Sequence, residues 1–214
     1  MIRSKKELDF YIKADYMMRT GTFTRSLKQK LIEFIAPDYI FQYIKMSRKC
    51  SYYSNYPHGG RRFLAKMYKL KSHRLGLKLG FSISFDNIGY GLHIPHYGTI
   101  VVGGGNQIGK YAVLHTSTCI TAGNKMIGNG FYLSAGAKVI RDITVGDYVS
   151  VGANSVLNSN CPDSCMVAGI PAHKVKDSEA WYIRDGAEYT RRVQECERLR
   201  SRQLNHSTKS HNMP

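Results

Sequence analysis

Apolar residues in the segment 88–157 recur every six residues. A helix repeats about every 3.6 residues and a strand about every 2.0, so neither element alone accounts for this spacing. Small insertions at residues 103–105 and 123–125 interrupt the period. The repeated position is aliphatic throughout: Ile88, Ile94, Ile100, Ile108, Leu114, Ile120, Ile127, Leu133, Val139, Val145, Val151 and Leu157.

A constant period of six indicates that each unit is one short strand followed by a turn. Three such units close one triangular coil, and stacked coils bury a continuous apolar column. The spacing therefore predicts a parallel β-helix over residues 79–176. A β-sandwich of short strands is the alternative, and it would show irregular turn spacing instead of a constant period.

The segment 1–78 is predicted to be a basic α-helical region that precedes the β-helix. Ser4 and Glu7 form the pattern of a capping box for a helix that runs to Arg19. Residues 51–60 are rich in tyrosine and glycine and are expected to be a connector. Further helices are predicted after Thr24 or Ser26, from Pro37, and over residues 61–74.

Two segments with different sequence patterns follow the repeats. Residues 177–203 are predicted to form a C-terminal helix because apolar residues such as Trp181 and Val193 recur at helical spacing. Residues 204–214 are polar and show no apolar periodicity, which predicts a disordered tail.

The formal net charge is +16, and much of the excess lies before residue 79. A basic surface attracts polyanions such as an anionic membrane face, although a solvated helical face is an equal alternative. No nucleic-acid-binding motif is present, so no nucleic-acid partner is expected. No apolar run is long enough to span a bilayer, and the first residues lack the features of a signal peptide. We therefore expect a cytoplasmic protein, with peripheral contact at the inner face of the membrane as a further hypothesis.

Five cysteines are scattered along the chain, which argues against a disulfide framework. Cys161 and Cys165 have the spacing of half a zinc site. No second pair of cysteines or histidines follows at ligand spacing, so no metal is expected.

Three stretches have the sequence features of one family: residues 91–102, the paired segments 134–139 and 151–156, and residues 168–174. On these residues the chain resembles the hexapeptide-repeat acyltransferases, specifically the serine acetyltransferase-like group. That group includes O-acetyltransferases of capsule and exopolysaccharide synthesis. The resemblance implies a left-handed parallel β-helix that assembles as a homotrimer with active sites between subunits. It also implies acetyl-CoA as co-substrate, with direct transfer in a ternary complex.

By this resemblance, His96 occupies the catalytic position. Moving an acetyl group from a thioester to an alcohol requires a base for the hydroxyl proton, and the pKa of histidine suits that role. His115 lies nineteen residues further on, close to one coil of eighteen, so it is expected almost above His96. There it would line the acceptor pocket or form part of the coil wall. His93 is a second candidate for the acceptor pocket.

The same match places the co-substrate. Ala135 and Ala153 are expected to line the groove for the pantetheine arm of acetyl-CoA, although simple corner packing also explains small residues there. Lys174, near the end of the coils, is expected to meet the phosphates of the nucleotide as a point charge.

The chain also departs from the family pattern. The aspartate that orients the catalytic histidine is Phe81 here, and Asp86 lies about half a coil away from that position. A backbone carbonyl is the alternative group that would orient His96. The acidic residue before the histidine is Pro95, and the loop that carries an Arg-His pair is reduced to residues 121–126.

These losses remove charged partners for an amino acid. The sequence therefore predicts transfer to a sugar hydroxyl in capsule, exopolysaccharide or O-antigen biosynthesis. An acceptor glycan is the expected partner. One alternative is a serine O-acetyltransferase of cysteine biosynthesis. Another is a non-catalytic trimeric scaffold.

Overall fold

The computed structural model describes residues 2–56 and 59–209, with side chains up to residue 203. Six helices and thirteen strands form in this part of the chain. The helices are α1 (Lys5–Thr20), α2 (Leu27–Ile35), α3 (Tyr39–Asn55), α4 (Arg61–Leu79), α5 (Trp181–Arg184) and α6 (Ala187–Lys209). The strands are β1 (Phe81–Ile83), β2 (Ile100–Val102), β3 (Gln107–Ile108), β4 (Val113–Leu114), β5 (Thr118–Ile120), β6 (Met126–Ile127), β7 (Tyr132–Leu133), β8 (Lys138–Val139), β9 (Thr144–Val145), β10 (Ser150–Val151), β11 (Val156–Leu157), β12 (Cys165–Gly169) and β13 (Ala172–Asp177).

The strands stack into a parallel β-solenoid with three faces. The first face has the strand order β1-β2-β5-β8-β11, the second β4-β7-β10-β12-β13, and the third β3-β6-β9. Neighbouring coils pair in parallel at offsets of sixteen to twenty residues, most often eighteen or nineteen, as in Ile100 with Thr118 and Cys119 with Lys138. Among the described strands, only β13 runs antiparallel, where it forms a hairpin with β12. The predicted parallel β-helix is confirmed, and the parallel pairing of successive coils on three faces excludes the β-sandwich.

The repeated aliphatic residues form the core of the solenoid. All twelve residues from Ile88 to Leu157 in the six-residue series are at most 5% exposed. They belong to one apolar cluster that also contains Cys161 and Cys165, whose sulfur atoms lie 3.0 Å apart inside the last coil. In the described residues, no group of three His, Cys, Asp or Glu side chains is placed to hold a metal ion.

The N-terminal helices follow the predicted order but differ in extent. Ser4 accepts a hydrogen bond from the Glu7 amide, while the Glu7 carboxylate accepts one from Arg3, so only half of the predicted capping box forms. Helix α3 continues to Asn55, through half of the predicted connector, and Pro57 and His58 in that connector lie outside the described residues. Helix α4 continues to Leu79 and leads directly into β1, which leaves no linker before the solenoid.

A buried ion pair attaches two of these helices to the first coil. Arg48 on α3 donates to Asp15 on α1 from Nε at 2.9 Å and from Nη2 at 3.2 Å, and both side chains are fully buried. The same guanidinium donates to the carbonyls of Ile88 and Gly89 at 2.5 and 2.6 Å. Asp15 also accepts from the Leu92 amide at 2.9 Å. The pair therefore joins α1, α3 and the solenoid through one network.

The C-terminal helices pack back onto the solenoid. Trp181 on α5 is 1% exposed and donates from its indole nitrogen to the Tyr111 carbonyl at 2.8 Å. Helix α6 reaches α1, where Arg192 donates to the Met18 carbonyl at 2.7 Å. The helix extends to Lys209, six residues into the predicted disordered tail, and residues 210–214 of that tail lie outside the described residues. Among the described helices, none is long and apolar enough to cross a membrane.

Candidate active site

One edge of the solenoid carries most of the predicted site residues. We call it the histidine edge, and it consists of the corners at residues 94–99, 115–117, 134–137 and 152–155, where the second face meets the first. Backbone bonds stack these corners: the Gly136 amide donates to the Thr116 carbonyl at 3.1 Å, and the Asn154 amide donates to the Ala135 carbonyl at 2.9 Å. The edge therefore aligns residues that are far apart in the sequence.

The corner that contains His96 is longer than the corners stacked on it. His93 pairs with Val113 and Val101 pairs with Cys119, so eight residue steps in the first coil match six in the second. The two extra residues enlarge this corner, and His96 within it is exposed. Its imidazole forms no hydrogen bond with the part of the chain that the structure describes, so the expected orientation by a backbone carbonyl is not found.

The residue at the usual aspartate position is packed in the core. Phe81 is 7% exposed and meets Tyr43 edge to face at 5.3 Å between ring centroids. Asp86 is exposed and lines a separate cleft between α3, α4 and β1, together with His73. No carboxylate thus takes the place of the aspartate in the first coil, as the sequence indicated.

His115 lies on the histidine edge beside an aromatic residue that the sequence analysis did not single out. Its Nε2 lies 2.8 Å from the Tyr132 hydroxyl, and the ring is partly buried. Burial, with a smaller contribution from the nearby His96, lowers the pKa of His115. The imidazole–phenol pair therefore provides a neutral hydrogen-bonding surface close to His96.

Arg184 lies over the ring of Tyr132. Its guanidinium carbon lies 4.7 Å from the Tyr132 ring centroid, and Nη1 donates to the Ser150 hydroxyl at 3.1 Å. Arg184 also pairs with Asp185 at 2.7 Å. The repeat register could have identified Tyr132 as a site residue, because Tyr132 pairs with Val113 on the second face. Arg184 lies outside the repeats, and no sequence pattern marks it as a site residue.

His93 is buried under the C-terminal helices instead of lining an open pocket. It is 8% exposed, and its ring stacks on Trp181 and meets Tyr189, with centroid distances of 6.2 and 5.7 Å. Its Nδ1 has no hydrogen-bond partner among the described atoms. Burial first, and then the positive charges of Arg19 and Arg192, lower the pKa of His93 to about 4. The predicted role of His93 in an acceptor pocket is therefore not supported.

This buried histidine gives an expected acid sensitivity. An unfolded chain has a histidine pKa of about 6.5, and the folded value is about 4. Between these values the unfolded state binds more protons, so stability is complete above pH 6.5 and falls as the pH decreases towards 4. The expected loss from this residue is about 3 kcal/mol at pH 4.

Urea unfolding of the wild type and of His93→Gln, at pH 7 and at pH 4.5, measures this contribution. The variant is expected to show a shallower pH dependence than the wild type. His96→Gln is the matched control, because His96 is exposed and its replacement is expected to leave the wild-type slope unchanged. Equal slopes for all three proteins would show that His93 does not control the acid response.

The two alanines predicted for the co-substrate groove are both exposed on the histidine edge. Ala135 lies in the corner above Thr116, and Ala153 lies in the next corner. Lys174 lies on β13 with its side chain 49% exposed and pairs with Asp177 at 2.6 Å. His96, Ala135 and Ala153 therefore line one continuous edge, while the charge of Lys174 is partly neutralised.

Comparisons with known proteins find relatives that share one name. The chain is 30% identical over 115 residues to a serine acetyltransferase of Synechococcus elongatus, covering 50% of this chain and 47% of that protein. It is 32% identical over 124 residues to the serine acetyltransferase of Haemophilus influenzae, covering 51% and 46%. The chain thus spans about half the length of the curated relatives it matches. No protein-family model matches it.

Solved structures of serine acetyltransferases share the fold. One, a complex with CoA, superposes with a TM-score of 0.59 at 19% identity, covering 80% of this chain and 71% of that chain. Another, from Neisseria gonorrhoeae in complex with serine, gives a TM-score of 0.60 at 22% identity, covering 81% and 71%.

These matches correct the predicted acceptor. The prediction of a sugar hydroxyl in surface polysaccharide biosynthesis is wrong, because the relatives and the structural neighbours are named serine acetyltransferases. They agree instead with the alternative that the sequence left open. The chain has the hexapeptide-repeat β-solenoid fold of the serine acetyltransferases and is homologous to them over about half of its length.

Proposed function

We propose that the protein is an acetyl-CoA-dependent O-acetyltransferase whose acceptor is serine. The observation that carries the proposal is the exposed position of His96 in an enlarged corner, on the same edge as Ala135 and Ala153. Homology to serine acetyltransferases over about half of the chain supports serine as the acceptor.

In the proposed reaction His96 takes the proton from the serine hydroxyl as its oxygen attacks the thioester carbonyl. The resulting tetrahedral oxyanion collapses, the carbon–sulfur bond breaks, and the CoA thiolate leaves and receives the proton from His96. The products are O-acetylserine and CoA. Such a base typically contributes about a hundred- to ten-thousand-fold in rate.

The surroundings of His96 suit this role. His115 and the Tyr132 hydroxyl form a polar pair beside it on the acceptor side, and burial keeps His115 neutral near pH 7. The small side chains of Ala135 and Ala153 leave the edge open to the pantetheine arm. Lys174 would meet the nucleotide phosphates only if it exchanges its partner Asp177 for them.

The proposal includes a homotrimer. An edge that is exposed in one chain would become a groove when a neighbouring solenoid packs against it, and that groove would exclude water from the thioester. Light scattering of the purified protein gives the molar mass and decides between a monomer and a trimer.

Thiol release from acetyl-CoA tests the acceptor. With L-serine the rate is expected to exceed the hydrolytic background by at least about tenfold, with O-acetylserine identified by mass spectrometry. L-Alanine, which lacks the hydroxyl, is the matched control and is expected to give only the background rate. Release that is independent of serine would contradict the proposal.

A non-catalytic trimeric scaffold is the second candidate, and the packing of Phe81 at the aspartate position favours it. In that case the trimer forms, but no acceptor raises thiol release above the background.

A further inference from the structure

Helix α2 presents its apolar side to solvent. No residue of this helix is buried. Its one acidic residue, Glu33, faces the protein, where it accepts a hydrogen bond from Tyr16 at 3.5 Å and pairs with Arg25 at 2.7 Å. A surface helix normally packs its apolar side inwards, so α2 is inverted. Its apolar residues are between 52 and 86% exposed: Leu27, Leu31, Ile32, Phe34 and Ile35.

Helix α4 carries a second exposed apolar row. Phe63, Leu70 and Leu77 are spaced by seven residues, so they lie along one side of the helix. They are 71, 50 and 72% exposed. The buried residues of the helix, Gly76 and Leu79, lie on the other side, towards the protein. The row therefore points away from the rest of the chain.

Positive charge borders this row. At 100° per residue, Lys66 and Arg74 lie within about 40° of the row on its two sides. Helix α4 has no acidic residue, and none of its cationic residues forms an ion pair with any described residue. The cationic residues of α4 are Arg61, Arg62, Lys66, Lys69, Lys71, Arg74 and Lys78.

Helix α4 ends close to the segment that joins α2 to α3. The Lys78 ammonium lies 3.7 Å from the centroid of the Tyr39 ring. Tyr39, which is 36% exposed, begins α3 shortly after α2 ends at Ile35. The end of α4 thus lies beside the junction of α2 and α3. We call the apolar residues of α2, Tyr39 and the apolar row of α4 the basic apolar surface.

We propose that the basic apolar surface docks the protein peripherally on an anionic phospholipid membrane. Leucine and phenylalanine side chains enter the boundary of the acyl region, while lysine and arginine remain at the phosphate headgroups. Nucleic acid or an acidic polysaccharide would neutralise the charge but would leave the apolar rows in water. A second copy of the chain would cover the apolar rows, but two α4 helices, each with seven unpaired cations, would repel across the contact.

Co-sedimentation of the full chain with lipid vesicles tests the proposal. The protein is expected to pellet with vesicles of phosphatidylcholine and phosphatidylglycerol but not with pure phosphatidylcholine, and added salt should weaken binding. Phe34→Glu and Leu70→Glu are expected to reduce binding at least about tenfold. Both side chains are exposed, so the folding of these variants, checked by circular dichroism, should be unchanged.

Val175→Glu is the matched control, because Val175 is 63% exposed on β13, outside the surface. It should bind anionic vesicles as the wild type does. The proposal is overturned if the wild type binds neither vesicle type, or if Phe34→Glu binds as well as Val175→Glu. Self-association that Phe34→Glu abolishes, without vesicle binding by the wild type, would assign the surface to a second copy. The assay needs no substrate, so its result is independent of the proposed acetyl transfer.

Discussion

Replacing Arg48 with methionine is expected to lower the free energy of unfolding by about 3–5 kcal/mol. The substitution leaves the Asp15 carboxylate buried, 1% exposed, without its cation. It also removes the donors for the carbonyls of Ile88 and Gly89. Urea unfolding followed by circular dichroism measures the change at neutral pH.

Two further variants separate the buried charge from lost packing. Adding Asp15→Asn to Arg48→Met removes the stranded charge while keeping an acceptor for the Leu92 amide, so the double variant should be more stable than Arg48→Met alone. Arg198→Met breaks an exposed pair with Glu195 and should cost at most about 1 kcal/mol. An Arg48→Met variant no less stable than Arg198→Met would show that the network does not hold the helices to the solenoid.

The solenoid could be predicted because one constraint acts on every coil. Each turn must return an aliphatic side chain to the same interior column, so Leu114, Leu133 and Val151 recur after nineteen and eighteen residues, a spacing that can be read without any tertiary information. The ends of the helices depend on particular contacts instead. Gly76 would normally weaken α4, yet a Cβ there would lie 2.6 Å from the Phe81 carbonyl. The glycine therefore permits close packing, and the helix continues past it.

Amphipathic spacing likewise predicts α2 but not the direction of its apolar side. The spacing predicts only that an apolar partner covers Leu31 and Phe34. In this structure no described part of the chain covers them. The surface that an amphipathic helix packs against is determined by the tertiary structure and not by the spacing of its apolar residues.

The candidate site likewise contains residues that the sequence predicted and residues that only the structure reveals. The predictions for His96, Ala135 and Ala153 come from the family resemblance of short local stretches, and all three residues lie within the repeats. Tyr132 and Arg184 come together only because α5 folds back onto the second face. The wrong prediction of a sugar acceptor arose from treating the departures at Phe81, at Pro95 and in residues 121–126 as charges missing from the whole site, although segments distant in sequence can contribute charges to a site in three dimensions.

Replacing His96 with alanine is expected to lower kcat for the acetylation of serine by about a hundred- to ten-thousand-fold. The proposed role requires a base only when the proton leaves the serine hydroxyl, so the loss should appear in kcat more than in KM. The rate of thiol release at saturating acetyl-CoA and serine measures it. The folding of the variant should be unchanged, because the His96 side chain is exposed and forms no hydrogen bond with the described part of the chain.

His73→Ala is the matched control, since His73 is an exposed histidine on α4 that lines a cleft without any residue of the histidine edge. It should retain the wild-type kcat. His115→Ala should lie between the two, because His115 contacts Tyr132 beside the reacting groups but is not the proposed base. Equal kcat values for His96→Ala and His73→Ala would remove His96 from the mechanism. If His115→Ala alone lost activity, the base would have to be assigned to the second coil, where burial lowers the pKa of His115 and keeps it in its neutral, proton-accepting form.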